Sequence, residues 1–131
     1  MFEKYMVMSR GFQNVVQDGA IIGFQIKIRI TYYRGIYLAL IGDFGLTVDG
    51  ENIRPEQLRF STAGHTYTLD QLAKEETVRW AFGEPATLTV LKPGGLKPGI
   101  HEIQLEQVIK PAYIPGRGFV AHTTRKATLV A

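Results

Sequence analysis

The chain has 131 residues, of which 45% are hydrophobic and 21% charged, and it contains no cysteine. That is the size and composition of one globular domain, residues 1–131, and it excludes disorder, disulfides and thiolate metal sites. The formal charge of +3 is concentrated at the C-terminal end: residues 107–131 hold Lys110, Arg117, Arg125 and Lys126 and no acid, too few and too spread to track a phosphate backbone.

Residues 1–5 lack the charged-then-apolar layout of a signal peptide. Residues 22–30 alternate strictly: even positions are apolar and, after Gly23, odd positions are polar. Period two predicts a strand with one buried face, whereas a helix would place Lys27 and Arg29 among the isoleucines. The longest apolar run, residues 36–41, is far too short to cross a membrane; a soluble, cytoplasmic protein with no membrane partner is expected. Asp49-Gly50 between apolar flanks predicts a tight hairpin, because both residues tolerate the positive φ of a type I′ turn. Residues 55–58 predict one helical turn with Pro55 at its first position. Ala63-Gly64 marks another turn, between Arg59-Phe60-Ser61 and Thr66-Tyr67.

Thr68 and Gln71 have capping-box spacing, and Tyr67 and Leu72 have that of a hydrophobic staple, so a short helix is expected over residues 69–75. Residues 78–82 and 86–90 read as strands. Residues 92–99, rich in Pro and Gly, read as a hairpin connection rather than a phosphate loop, since no helix follows. From residue 100 to 109, Ile103, Leu105 and Gln107 share one side and Glu102, Gln104 and Glu106 the other. Pro111, Pro115, Gly116 and Gly118 then take the chain out of the sheet before a last strand at residues 127–130. Many short strands with turn signals predict an all-β fold, an antiparallel β-sandwich with one short helix. Ile26, Ile28, Trp80, Leu88 and Leu105 are expected in its core.

The residues offer little chemistry. His65, His101 and His122 are far apart in sequence, without the local ligand pairs usual at zinc sites. Glu102 and Glu106 lie on an outward strand face, and Ser9 and Ser61 lack a nucleophile elbow. No catalytic residue, metal ligand or cofactor is expected on this chain. Tyr32, Tyr33 and Arg34, at the end of a regular strand, and Tyr113, Pro115 and Arg117, in a loop, combine the residue types over-represented at interface hot spots. These six are the predicted partner interface; the competing reading is a sheet corner.

The chain also resembles the small β subunit of bacterial C-glycoside deglycosidases. The resemblance is carried by the N-terminal Met-Phe-Glu-Lys-Tyr-Met-Val, Gly11-Phe12-Gln13-Asn14, Gly23-Phe24-Gln25-Ile26 and Ile30-Thr31-Tyr32-Tyr33-Arg34-Gly35-Ile36. Val48-Asp49-Gly50, Tyr67-Thr68-Leu69, the run from Arg79 through Trp80 and Gly83-Glu84-Pro85 to Leu88, and Lys92-Pro93-Gly94-Gly95-Leu96 extend it. It covers nearly the whole chain in order and is least diagnostic after Pro115.

It implies an accessory role in cleaving the carbon–carbon bond between a sugar and an aromatic aglycone. In such a complex a ketone at C3 of the sugar acidifies the C2 hydrogen, and loss of that proton lets the protonated aromatic carbon leave C1. The base, and a divalent metal (manganese is typical), belong to a catalytic α subunit that resembles sugar-isomerase barrels. An αβ hetero-oligomer with equal numbers of both subunits is implied, and no catalytic residue is carried over. The alternative is a free-standing carbohydrate-binding sandwich that stacks exposed Tyr and Trp on sugar rings.

Overall fold

An amphipathic strand needs a partner along its edges and an apolar layer under one face. The computed structural model describes residues 6–8, 10–29, 36–62, 64–72, 74–75, 78–80, 84–109 and 119–129, and it meets both needs with two antiparallel sheets. The five-stranded sheet contains β1 (Gln13–Gln17), β2 (Ala20–Ile28), β6 (Leu58–Thr62), β7 (His65–Tyr67) and β9 (Ala86–Leu91), in the order β1-β2-β9-β6-β7. The four-stranded sheet contains β4 (Ile41–Val48), β5 (Glu51–Ile53), β10 (Gly99–Ile109) and β11 (Phe119–Leu129), in the order β11-β10-β4-β5. A two-stranded ribbon pairs β3 (Ile36–Tyr37) with β8 (Arg79–Trp80).

Period two fills the core from both sides. Phe24, Ile26 and Ile28 of β2 and Ala86, Leu88 and Val90 of β9 meet Phe44, Leu46 and Val48 of β4 and Ile103 and Leu105 of β10 in one buried cluster. Gln107 is buried with them, as the alternation requires, and its side-chain amide donates to the Arg29 carbonyl at 3.0 Å. The rings of Phe44 and Phe60 stack across the two sheets with centroids 5.7 Å apart. All five predicted core residues are buried.

The Asp49-Gly50 hairpin forms as a type I′ turn, with φ of 51° and 82°. Residues 55–57 make a 3₁₀ turn with proline in its first turn. The capping box is present: Gln71 N–H donates to Thr68 Oγ1 at 3.2 Å, and Thr68 N–H donates to Gln71 Oε1 at 2.9 Å.

Four expectations are corrected. The helix α1 is Leu69–Leu72, shorter than residues 69–75. It tightens into i→i+3 bonds from Lys74 N–H to Gln71 and from Glu75 N–H to Leu72, and the Glu75 carbonyl then accepts from Ala39 N–H, which pulls the chain toward the two-stranded ribbon. Secondly, β1 is an additional strand, joined to β2 by a type I′ turn at Asp18-Gly19 with φ of 52° and 79°. Thirdly, the last strand starts at Phe119, not near Ala127, because it pairs with β10 along its full length. Fourthly, residues 92–98 are not a hairpin connection but a crossover from β9 in one sheet to β10 in the other.

Candidate functional site

The six predicted interface residues Tyr32, Tyr33, Arg34, Tyr113, Pro115 and Arg117 lie outside the described residues, as does the expected excursion at 110–118. Their described flanks are close together. Arg29 follows β2, Gln107 sits near the end of β10, and the Gln107 to Arg29 bond joins them. Arg29 and Gln107 therefore lie at one end of the sandwich.

The opposite end of β2 and β10 holds the most organised polar cluster. Pro93 at the second position of a turn and Gly94 at the third, with φ of 85°, close a type II turn from Gly95 N–H to the Lys92 carbonyl at 2.8 Å. The Asn14 side chain then holds the crossover like a missing strand: its amide donates to the Leu96 carbonyl and its oxygen accepts from Leu96 N–H, both at 2.9 Å. Phe12 packs edge-on against Phe24, with centroids 6.3 Å apart, and against His101, at 5.8 Å. The turn residue Asp49 is bound to β10 through its backbone N–H to the Glu102 carbonyl at 2.9 Å and through Oδ1, which accepts Glu102 N–H at 2.8 Å.

His101 is the centre of this end. Its Nδ1 is 2.5 Å from Asp49 Oδ2 and its Nε2 is 2.6 Å from the Lys97 carbonyl oxygen. A carboxylate and a carbonyl both accept, so this pair of contacts favours the ring with both nitrogens protonated. Burial pulls its pKa down, but the hydrogen bonds to Asp49 and Lys97 and the Asp49 charge outweigh that, and the net displacement is upward. The hydrogen bond from His101, followed by that from the Glu102 N–H, holds the Asp49 carboxyl below its ordinary range. With both contacts made, His101 leaves no lone pair for a metal or a substrate proton. It clamps a hairpin and a crossover together.

The clamp predicts a pH profile. The imidazolium contribution is complete below the unfolded histidine value, about 6.5, and is lost as pH rises through the raised folded value. The Asp49 contribution is present above the unfolded aspartate value, about 3.9, and is lost as pH falls through the lowered one. Asp49 is 48% exposed, so the pair is worth only about 0.5–1 kcal/mol. Wild type should therefore lose a few degrees of melting temperature between mildly acidic and mildly alkaline pH. His101→Gln should melt lower at acidic pH and show a flat profile there. Parallel profiles for the two proteins would contradict the clamp.

Among the described residues, no group of three or more His, Cys, Asp or Glu side chains is placed to hold a metal ion. Nor is any helix among them long and apolar enough to cross a membrane. Trp80 is 1% exposed and its indole N–H donates to the Glu84 carbonyl at 2.7 Å, so it cannot be the stacking platform that the carbohydrate-module alternative required. The sequence reading noted His101 and the Asp49 turn separately but missed their pairing. Only the register of β4 on β10, with Val48 opposite Ile103, brings together residues 52 positions apart.

A family model described as C-glycoside deglycosidase beta subunit matches residues 2–113. The chain is similar to the C-glycoside deglycosidase beta subunit of Eubacterium cellulosolvens, with 36% identity over 114 residues, covering 86% of this chain and 78% of that protein. It is also similar to the C-glycoside deglycosidase beta subunit of Arthrobacter globiformis, with 31% identity over 68 residues and 52% of each chain. The 3'-dehydrocarminate deglycosidase beta subunit of a Microbacterium species is 29% identical over 108 residues, 79% of this chain and 80% of that protein.

Proposed function

The chain belongs to the family of C-glycoside deglycosidase beta subunits, and from that premise we propose that it is the accessory, non-catalytic subunit of a complex that cleaves the carbon–carbon bond between a 3-oxo-glucosyl group and an aromatic aglycone. The observation that carries this reading is the family match over residues 2–113. The name of the Microbacterium relative, which specifies a 3'-dehydro substrate, supports the oxidised sugar. The commitment of both His101 nitrogens to Asp49 and Lys97 supports a non-catalytic role, since it removes from chemistry the histidine with the best-defined surroundings.

In this reading the base and the divalent metal, manganese, sit on a catalytic partner with a sugar-isomerase-like barrel. The described residues of this chain do not fit a metal. The partner and this chain assemble in equal numbers, in the cytoplasm, as a lyase acting in the breakdown of flavonoid C-glucosides. The purified chain alone should release no aglycone from a 3-oxo-C-glucoside and should carry no stoichiometric metal by elemental analysis. Turnover by the lone chain, or one bound metal per chain, would contradict the proposal.

The contact with the partner is assigned to Tyr32, Tyr33, Arg34, Tyr113, Pro115 and Arg117. Its support is the joining of their described flanks, Arg29 and Gln107, at one end of the sandwich. Truncating a hot-spot anchor typically costs about 2 kcal/mol or more, roughly thirtyfold in affinity. Arg34→Ala and Tyr113→Ala should leave the melting temperature of the lone chain nearly unchanged, weaken assembly by that factor and lower activity in dilute solution. Variants that melt several degrees lower yet assemble normally would assign these residues to a sheet corner instead.

A further inference from the structure

The outer face of the four-stranded sheet holds a glycine that the fold does not require. Gly45 is exposed in the middle of β4, and its φ is not in the left-handed region. A Cβ there would meet only the Cβ of Glu106, at 3.5 Å, an ordinary contact. Glycine weakens a strand interior and often marks a bulge, a bend or a place where a ligand or another backbone approaches closely, and the β4–β10 register shift lies at Val108/Ile109 rather than at Gly45.

The side chains around Gly45 are polar. Register places Glu106 of β10 directly opposite Gly45, and His122 of β11 opposite Glu106. In the neighbouring row Asn52 of β5 faces Thr47 of β4, which faces Gln104 of β10. These five residues and Gly45 surround a trough of about 220 Å³. Leu46 and Leu105 also border it, but their side chains are buried in the core on the other side of the sheet.

Two amides, a hydroxyl and a carboxylate, with the His122 imidazole beside them, place donors and acceptors in close alternation, and the Gln104 amide also donates to Glu102 at 3.3 Å. With no lysine or arginine among its described lining residues and a carboxylate present, the trough does not suit a phosphate. With no exposed apolar side chain among those described residues, it suits neither an aromatic ring nor a broad protein interface. A small, neutral, flat molecule rich in hydroxyls fits all three constraints.

We propose that this trough is a sugar-binding subsite that holds one pyranose ring with free hydroxyls. The ring lies over Gly45, with Glu106 accepting from its hydroxyls and the Gln104 and Asn52 amides both donating and accepting. This goes beyond the accessory role and does not depend on it, because the binding belongs to this chain alone. It also differs from the stacking module of the sequence-based alternative, since it uses no aromatic platform.

The test is a titration of the full, isotopically labelled chain with methyl β-glucopyranoside, followed by amide resonances. Saturable shifts in the millimolar range are expected, confined to the strands around Gly45, Asn52, Gln104, Glu106 and His122. Gly45→Val should fill the floor of the trough while keeping the strand, since β-branched residues favour strands. It should weaken binding by roughly tenfold or more without lowering the melting temperature. Glu106→Gln, which retains size but loses charge, should also weaken binding. Absence of saturable shifts, or shifts that Gly45→Val leaves intact, would overturn the proposal. So would a Gly45→Val variant whose only defect is weaker assembly with the partner subunit, which would make this face part of the interface.

Discussion

Replacing Trp80 by alanine is expected to lower stability by about 3–5 kcal/mol, the range for truncating a large buried aromatic. Trp80 is buried, its ring meets Phe60 edge-on at 5.2 Å, and Phe60 stacks on Phe44 at 5.7 Å. The three rings thus connect β8, β6 and β4, which belong to the ribbon and to both sheets. Alanine would leave a void where the three units meet, and no single neighbour could close it. Net stabilities of single domains are only about 5–15 kcal/mol, so the loss is a large share of the total. A fall in melting temperature of roughly 10–20 °C follows for a chain of this length. Trp80→Phe keeps one ring of the packing and gives up the other ring's volume and the bond to the Glu84 carbonyl, so it should lose less. Thermal melts of the two variants check this, and a Trp80→Ala melt within a few degrees of wild type would contradict the packing account.

Gly23→Ala should be as damaging, for a different reason. A Cβ on Gly23 would overlap the Val90 carbonyl oxygen and come within 2.9 Å of the Val90 carbonyl carbon and 3.0 Å of the Lys92 nitrogen. All three are backbone atoms, so no side chain can swing aside. The strands β2 and β9 would have to part where Gly23 pairs with Leu91. That would also strain the bonds from Lys92 N–H to Ile22 and from Gly94 N–H to Ile21, which start the crossover. A loss on the order of 4 kcal/mol is expected, at the severe end for point substitutions. Gly19→Ala is the natural comparison: its φ is +79° but nothing lies within 4 Å of an added Cβ, so only left-handed backbone strain of about 1–2 kcal/mol applies. Urea midpoints should separate the two variants clearly. Equal midpoints would show that β2 and β9 do not approach as described.

These two positions also mark how far the sequence alone could be read. The strand β2 was legible because its alternation is unbroken from Phe24 to Ile28, every even residue being buried. Its neighbour β1 was not, because Val15 and Val16 are two apolar residues in succession between polar ones, which leaves no period, and the register shift beside them skips Ile22 of β2. The last strand was hidden by its inward positions. Ala121, Thr123, Arg125 and Ala127 alternate with polar residues but are small or polar themselves, and Arg125 reaches the Val7 carbonyl at 3.1 Å. The crossover at residues 92–98 carries ordinary turn residues, and nothing local distinguishes a change of sheet from a hairpin. Functional legibility was narrower still. The Asp49 and Asn14 contacts span 52 and 82 residues, and only the assembled register brings their partners into reach.

The proposed role of this chain is to complete a catalyst without being one. It is tested most directly by adding the purified chain stepwise to a purified catalytic partner and measuring aglycone release from a 3-oxo-C-glucoside. The expected result is negligible release by either protein alone, with activity rising to a plateau when the two are present in equal numbers. A partner that is fully active without this chain, or release of aglycone by this chain with no partner present, would contradict the claim.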